Sequence, residues 1–151
     1  MAIRNIVQMG EDVLRKKAFE VTDFGEKTWQ LLDDMKDTLK KAEGAGLAAP
    51  QVGVLRRIFI VDVEEGFFEF LNPEILSEKG EQFGPEGCLS VKGKWGEVKR
   101  PKTVVVKFQD RNGKFHKLTA NDFFAKAICH ENDHLNGILY VDKAVNIRNE
   151  D

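Results

Sequence analysis

Residues 121–137 read NDFFAKAICHENDHLNG, and this stretch predicts the helix on which the fold and the chemistry depend. Asn121 or Asp122 can cap the start of a helix, and Asn136–Gly137 is a typical C-terminal stop after Leu135. Residues 130–134 form a His-Glu-x-x-His motif. Side chains four positions apart lie on the same face of a helix, one turn apart. Both imidazoles can therefore reach one metal ion.

Glu131 follows the first histidine of this motif. From that position a carboxylate can contact a water activated by the metal without binding the metal itself, as the general base of a hydrolase does. The alternative is a polar helix face that happens to contain two histidines. The chain has three histidines, and two of them occur at this spacing with the glutamate between them. The pattern therefore favours a hydrolytic metal site.

A catalytic metal site usually has three protein ligands and one open position, so a third ligand is required. Cys129 adjoins the first histidine and points about 100° away from the ligand face, which is typical of a packing residue. His116 lies in a predicted strand flanked by lysines, where a solvated or edge position is expected. Cys88 lies in the glycine-bracketed stretch Gly84–Ser90, which predicts a loop that exposes a thiolate. The two histidines need a partner, which favours Cys88, although an acidic residue elsewhere stays open.

The rest of the chain predicts one more helix and a series of antiparallel strands. Apolar residues recur at steps of three and four from Asp23 to Glu43, which predicts an amphipathic helix. The small residues and the proline of Gly44–Gln51 predict a tight loop. Strands are predicted at Arg57–Val63, Phe67–Leu71, Glu74–Phe83, Val98–Gln109 and Lys114–Leu118, the last after the turn Asp110–Gly113. Helix, strands and helix without βα alternation indicate an α+β fold. The length of 151 residues fits a single domain, 1–151.

Charge and composition argue against nucleic acid or membrane as a partner. The chain carries 23 basic and 25 acidic residues, a net charge of −2. A local basic run is interpreted as solvated surface; it comprises Lys92, Lys94, Lys99, Arg100 and Lys102. The N-terminus lacks the features of a signal peptide and no window resembles a membrane span, so a cytoplasmic location is expected. Its two cysteines are then not expected to form a disulfide.

Three segments together resemble the signature motifs of the peptide deformylases. They are GAGLAAPQ at 44–51, EGCLS at 86–90 and HENDHLNG at 130–137, in this order. The resemblance spans Gly44 to Gly137. It implies antiparallel β-sheets packed around a central helix that bears the metal-binding motif. It also implies a hydrolase that removes the formyl group from the formyl-methionine of nascent polypeptides and releases formate.

The resemblance also implies roles for single residues. Cys88, His130 and His134 would bind one divalent metal ion, natively Fe²⁺ and replaceable by Zn²⁺, Ni²⁺ or Co²⁺. Glu131 would be the general acid/base. The Gln51 side chain and the Leu89 backbone N–H would stabilise the oxyanion. The substrate peptide would lie against Ala45, Gly46 and Gly87.

The chain departs from the family pattern at three places. Family members commonly have Gln before the first histidine, where this chain has Cys129. Many continue after EGCLS with proline and glycine, whereas this chain has Val91–Trp95. Many bacterial members also have a longer C-terminal helix, used by some to dock on the ribosome. Proximity to the ribosome is compatible with the activity, but the short C-terminus gives docking no support.

Three other functions are compatible with parts of the pattern. A metallopeptidase shares the His-Glu-x-x-His helix but usually takes its third ligand from downstream, where the acidic candidates are Asp142, Glu150 and Asp151. A structural metal site would need four protein ligands, which would recruit His116 or a remote acid. A related enzyme acting on another small formamide or amide would retain Gln51 and Glu131.

Overall fold

Two antiparallel β-sheets and two helices make up the part of the chain that the computed structural model describes, residues 2–150. In chain order the elements are α1 (Glu26–Ala42), β1 (Gly46–Ala48), β2 (Ile58–Val63), β3 (Gly66–Lys79), β4 (Gln82–Cys88), β5 (Val91–Arg100), β6 (Thr103–Gln109), β7 (Phe115–Asn121), α2 (Asp122–Leu135) and β8 (Val145–Asn149). Short 3₁₀ helices lie at Asp12–Arg15, Ala49–Val52 and Tyr140–Asp142. The five-stranded sheet has the order β1-β2-β3-β6-β7, and the three-stranded sheet has the order β4-β5-β8. The predicted α+β class is confirmed.

Strand β2 lies near the middle of the core because both of its faces are buried. Successive side chains of a strand point to opposite faces. Ile58 and Ile60 pack with apolar residues of α1, and Phe59 and Val61 pack with apolar residues of α2. The two helices therefore cover opposite faces of the five-stranded sheet.

Helix α2 joins this core to the second sheet. Its residues Phe124, Ile128 and Leu135 are buried in the cluster formed with β2, β3 and β6. His130, Glu131 and His134 of its motif are buried as well, next to β4 and β5. The sequence predicted the extent of this helix correctly. The expected side-chain cap is absent, because Asn121 Oδ1 instead accepts a hydrogen bond from the Thr103 hydroxyl.

The prediction of a loop at Gly44–Gln51 was wrong for its central part. Gly46–Ala48 form β1, which pairs with residues 59–61 of β2. Leu47 and Ala48 are fully buried, so pairing with a core strand outweighs the low strand propensity of glycine and alanine. Ala49–Val52 then form a 3₁₀ turn that ends at Gly53, whose φ of +83° is accessible to glycine.

The predicted strands were correct in type and imprecise in their bounds, and β8 and the first part of β5 were not predicted. The predicted strand Glu74–Phe83 is interrupted at Gly80, whose φ is +69°, where β3 ends and β4 begins after a tight turn. The predicted strand Val98–Gln109 is interrupted at Pro101. The stretch Gly84–Ser90 is mostly strand and not loop, so Cys88 is the last residue of β4. No helix within residues 2–150 is long and apolar enough to cross a membrane.

Candidate metal centre

One sulfur and two imidazoles come together between β4 and α2. The donor atoms of Cys88, His130 and His134 all lie within 4.8 Å of one another. Cys88 Sγ is 3.4 Å from His134 Nε2, and the two imidazole centroids are 5.2 Å apart. Within residues 2–150 no fourth histidine, cysteine, aspartate or glutamate belongs to this set. A thiolate and two imidazoles are a typical donor set for a divalent transition metal with an open position, so the residues fit such an ion.

The other candidate ligands lie elsewhere. Cys129 is buried in the core, and burial raises the pKa of its thiol to about 12, as expected for a packing residue. His116 is on the edge strand β7, partly exposed, where its Nε2 is 2.7 Å from Asp110 Oδ2. Asp142 accepts hydrogen bonds from Arg15, and Glu150 lines the cleft without joining the donor set. Asp151 lies outside the described residues.

Glu86 orients the first histidine. Its Oε1 is 2.8 Å from His130 Nδ1, which leaves Nε2 on the side of the ring away from Glu86, available to a metal. The carboxylate is held in turn by Arg100, whose Nε and a terminal nitrogen each donate to it at 2.8 Å. Arg100 also donates to Asp133 at 2.7 Å, and Lys143 lies 3.1 Å from the same carboxylate. A chain of charged groups therefore runs from Lys143 at the surface, through the buried Arg100 and Glu86, to the donor set.

The interpretation of Arg100 as solvated surface was wrong. Its side chain is 2% exposed, because alternation along β5 points it inward, toward the acidic groups of β4 and α2. Burial alone would raise the pKa of Glu86, but the hydrogen bonds from Arg100 and the contact with His130 lower it to about 2. Glu86 is therefore a permanent anion beside the imidazole.

The two histidines have different electrostatic surroundings. Burial opposes charge on His130, but its contacts with Cys88 and Glu86 and the nearby Glu131 carboxylate raise its pKa to about 10. At His134, burial and the positive charges of His130 and Arg100 lower the pKa well below its ordinary value. His134 is therefore a neutral imidazole, the form that binds metals, whereas a metal ion that binds His130 must displace its proton.

Glu131 lies against the donor set. Its Oε2 is 4.0 Å from His130 Nε2, and its buried Oε1 has no hydrogen-bond partner within residues 2–150. Burial raises the pKa of this carboxyl to about 7, although His130 acts in the opposite direction. The backbone of Gly46 also packs closely against this carboxylate. A Cβ atom added to Gly46 would lie 2.6 Å from Glu131 Oε2.

The Gln51 side chain is held in one orientation. Its Oε1 accepts a hydrogen bond from the Ala48 backbone N–H at 2.9 Å. Its Nε2 donates to Ser90 Oγ at 3.1 Å and lies 3.6 Å from Cys88 Sγ. The amide therefore presents its N–H groups, and not its oxygen, toward the donor set.

A cleft of about 690 Å³ opens onto these groups. One border is formed by β1, which is an edge strand of the five-stranded sheet, and the other by β4, an edge strand of the three-stranded sheet. The residues predicted to bind substrate or stabilise the oxyanion all line it; they are Ala45, Gly46, Gln51, Gly87 and Leu89. Pairing of β4 with β5 is irregular between Glu86 and Cys88, next to the sulfur.

The family model of the polypeptide deformylases matches residues 3–150 of the chain. The chain belongs to the peptide deformylase family. A peptide deformylase of Thermoanaerobacter pseudethanolicus is 52% identical over 151 residues, covering 100% of this chain and 95% of that protein. Peptide deformylase 1 of Clostridium acetobutylicum is 48% identical over 143 residues, 95% of each chain.

Solved structures show the same fold. A peptide deformylase of Thermotoga maritima superposes with a TM-score of 0.94 at 37% identity, over 96% of this chain and 99% of that one. A peptide deformylase of Legionella pneumophila gives 0.92 at 42% identity, over 96% and 88%. This deformylase is accordingly a metal-dependent hydrolase that removes the N-formyl group from nascent peptides, with a single catalytic metal ion.

Sequence reasoning missed the residues that support the site. Glu86 stood in the quoted EGCLS motif without a role, Arg100 was placed on the surface, and Asp133 passed as a spacer in the His-Glu-x-x-His motif. The available signal was the alternation of residues along β5, which points Arg100 inward. Its acidic partners could not be identified because they lie on other elements.

Removing the charge of Glu86 should weaken metal binding. Glu86→Gln keeps the shape of the side chain but gives His130 a neutral partner, and changes of this kind typically cost about 10–100-fold in metal affinity. Competition with a chelator measures the affinity. Glu81→Gln, exposed near the start of β4, is the control. Equal affinities in Glu86→Gln and the parent would contradict the role given to Glu86.

Adding one methyl group at Gly46 should disturb Glu131. The new Cβ would displace the carboxylate that the sequence predicts to be the general acid/base, and misplacement of such a group by about 1 Å can cost about 100-fold in rate. We expect Gly46→Ala to retain its metal, measured by elemental analysis, and to lose turnover by that factor. Gly84→Ala is the control, because the nearest atom to a Cβ there is 3.9 Å away. Full activity of Gly46→Ala would show that the close approach is unimportant.

Proposed function

We propose that Cys88, His130 and His134 hold the catalytic metal of this deformylase, within one catalytic domain formed by residues 1–151. The observation that carries the proposal is the convergence of these three donors, and no fourth, from β4 and α2 within residues 2–150. A divalent ion bound there would lower the pKa of a water molecule and polarise the formyl carbonyl.

We further propose Fe²⁺ as the native ion, with Zn²⁺, Ni²⁺ or Co²⁺ able to replace it. One sulfur and two imidazole nitrogens suit all four ions, and affinity alone does not select among them. The donor chemistry supports this group of ions over Mg²⁺ or Ca²⁺, which prefer oxygen ligands.

Glu131 is assigned the proton transfers. It accepts a proton from the attacking water and returns it to the amine nitrogen as the C–N bond of the formamide breaks. Its buried Oε1, which has no hydrogen-bond partner among the described residues, can take part without first losing a hydrogen bond. The closeness of Gly46 limits where the carboxylate can move.

Gln51 and Leu89 are assigned the developing oxyanion. Attack on the formyl carbon places negative charge on its oxygen, and donors already aimed at that position lower the barrier. The hydrogen bonds to Ala48 and Ser90 fix the Gln51 amide with its N–H groups toward the donor set. The Leu89 N–H follows Cys88 directly in the chain, at the end of β4.

The substrate peptide is proposed to bind in extended form along the cleft, against Ala45, Gly46 and Gly87. An edge strand offers unpaired backbone groups to an incoming peptide, and edge strands of both sheets border this cleft. The substrates are formyl-methionyl nascent chains. We place the enzyme in the cytoplasm, where such chains are made.

Formate release tests the assignment of the base. The parent, purified anaerobically, should release formate from formyl-Met-Ala-Ser, and Glu131→Ala should release essentially none while retaining its metal. Chelation of the metal should abolish activity, and re-addition of Fe²⁺ should restore it. An active Glu131→Ala enzyme would remove this residue from the mechanism. Cleavage of an unformylated peptide would favour a peptidase.

Truncation of Gln51 should slow turnover without loss of the metal. One oxyanion donor is typically worth about 10²–10³ in kcat, so Gln51→Ala should lose two to three orders of magnitude. Gln82→Ala is the control, because the amide of this glutamine is also held by hydrogen bonds, to two backbone carbonyls, but lies outside the cleft. Normal kcat in Gln51→Ala would show that its amide does not serve the oxyanion.

A further inference from the structure

One face of α2 lines the cleft over about two turns. Phe123, Lys126, Ala127 and His130 follow each other at steps of three, one and three residues, which places them on a common stripe. Only His130 of these four belongs to the metal donor set. The other three form a wall that continues from the metal centre toward the start of the helix.

Lys126 makes this wall polar at one point. Its Nζ donates a hydrogen bond to the Pro85 carbonyl of β4 and lies 6.0 Å from the centroid of the Phe123 ring. The side chain is half-buried, and burial lowers its pKa. The ammonium therefore spans the cleft wall between α2 and β4. Because an ammonium has three donors and Pro85 accepts one, further donors remain for a ligand.

The position of Lys126 relative to the metal centre matters for the substrate. His130 follows it by four residues, just over one helical turn or about 6 Å along the axis. If the formyl group lies at the donor set, as the proposed function requires, the side chain of the first peptide residue is attached within a few bonds of it. That side chain can extend along the stripe toward Lys126.

We propose that Lys126 determines which first residue this deformylase prefers, by donating a hydrogen bond to an acceptor at the end of an unbranched side chain. The aliphatic part of the lysine side chain forms an apolar surface on the cleft wall, and its ammonium group supplies the hydrogen-bond donor. The substrate class is formyl peptides whose first side chain has the length of methionine and ends in an acceptor. The inference rests on the proposed function.

Methionine offers a series of probes of nearly constant shape. Its thioether sulfur is a weak acceptor, the norleucine side chain has no acceptor, and the sulfoxide of methionine carries a strongly accepting oxygen. A hydrogen bond from a charged donor should therefore favour the sulfoxide over norleucine. We expect this bond to contribute about tenfold to the ratio of their kcat/KM values.

The experiment measures kcat/KM for formyl-Met-Ala-Ser and for its norleucine and methionine-sulfoxide counterparts. In Lys126→Met, an unbranched apolar side chain replaces the donor, and the ratio of sulfoxide to norleucine should fall about tenfold from its value in the parent. Lys99→Met is the matched control, because Lys99 is exposed on β5 outside the cleft, and it should leave the ratio unchanged. Metal content and the unfolding midpoint are measured for all variants.

Each outcome decides one point. An equal ratio in the parent and Lys126→Met, or a parent that hydrolyses the formyl-Met peptide but not the sulfoxide peptide, overturns the role of Lys126 and leaves the proposed function intact. A parent that fails on formyl-Met itself contradicts the proposed function, and the inference with it. Using a ratio within one variant separates specificity from any general loss of activity.

Discussion

The guanidinium of Arg100 sits between the carboxylates of Glu86 and Asp133, and the metal centre depends on this contact. Arg100 is on β5, Glu86 on β4 and Asp133 on α2, so one buried cation fixes three elements relative to each other. Burying a single charge there would be prohibitive, and even a buried pair often gives no net stabilisation. Such a network is better understood as specifying one arrangement of strand and helix.

That arrangement positions all three candidate metal-binding side chains. Cys88 lies two residues beyond Glu86 on the same strand, and His134 follows Asp133 on the helix. Glu86 also contacts the imidazole of His130. The network therefore positions the sulfur through the backbone of β4 and the two nitrogens through α2. The five-stranded sheet completes the site by placing Gly46 against Glu131 and Gln51 beside Cys88.

Local pattern was enough to predict both helices and half of the strands, because helix periodicity and strand alternation depend on neighbouring residues; these strands are β2, β3, β6 and β7. The His-Glu-x-x-His spacing predicted that His130 and His134 share a face, and that prediction needs only helix geometry. Non-local interactions account for what was missed. β1 exists because β2 is available to pair with it, and the inward orientation of Arg100 has a partner only when β4 and α2 are adjacent. The choice of Cys88 came from the need for a third ligand and from the family resemblance, not from its own surroundings.

The contrasting environments of the two cysteines have a chemical consequence. Cys129 is enclosed in the core with a thiol that stays protonated, whereas Cys88 is only half-buried and borders the cleft. Alkylating reagents and peroxides that enter the folded molecule therefore meet a single reactive sulfur. In the proposed metal site a coordinated Cys88 sulfur would be shielded from such electrophiles, so the rate of alkylation would report on metal occupancy without any assay of turnover.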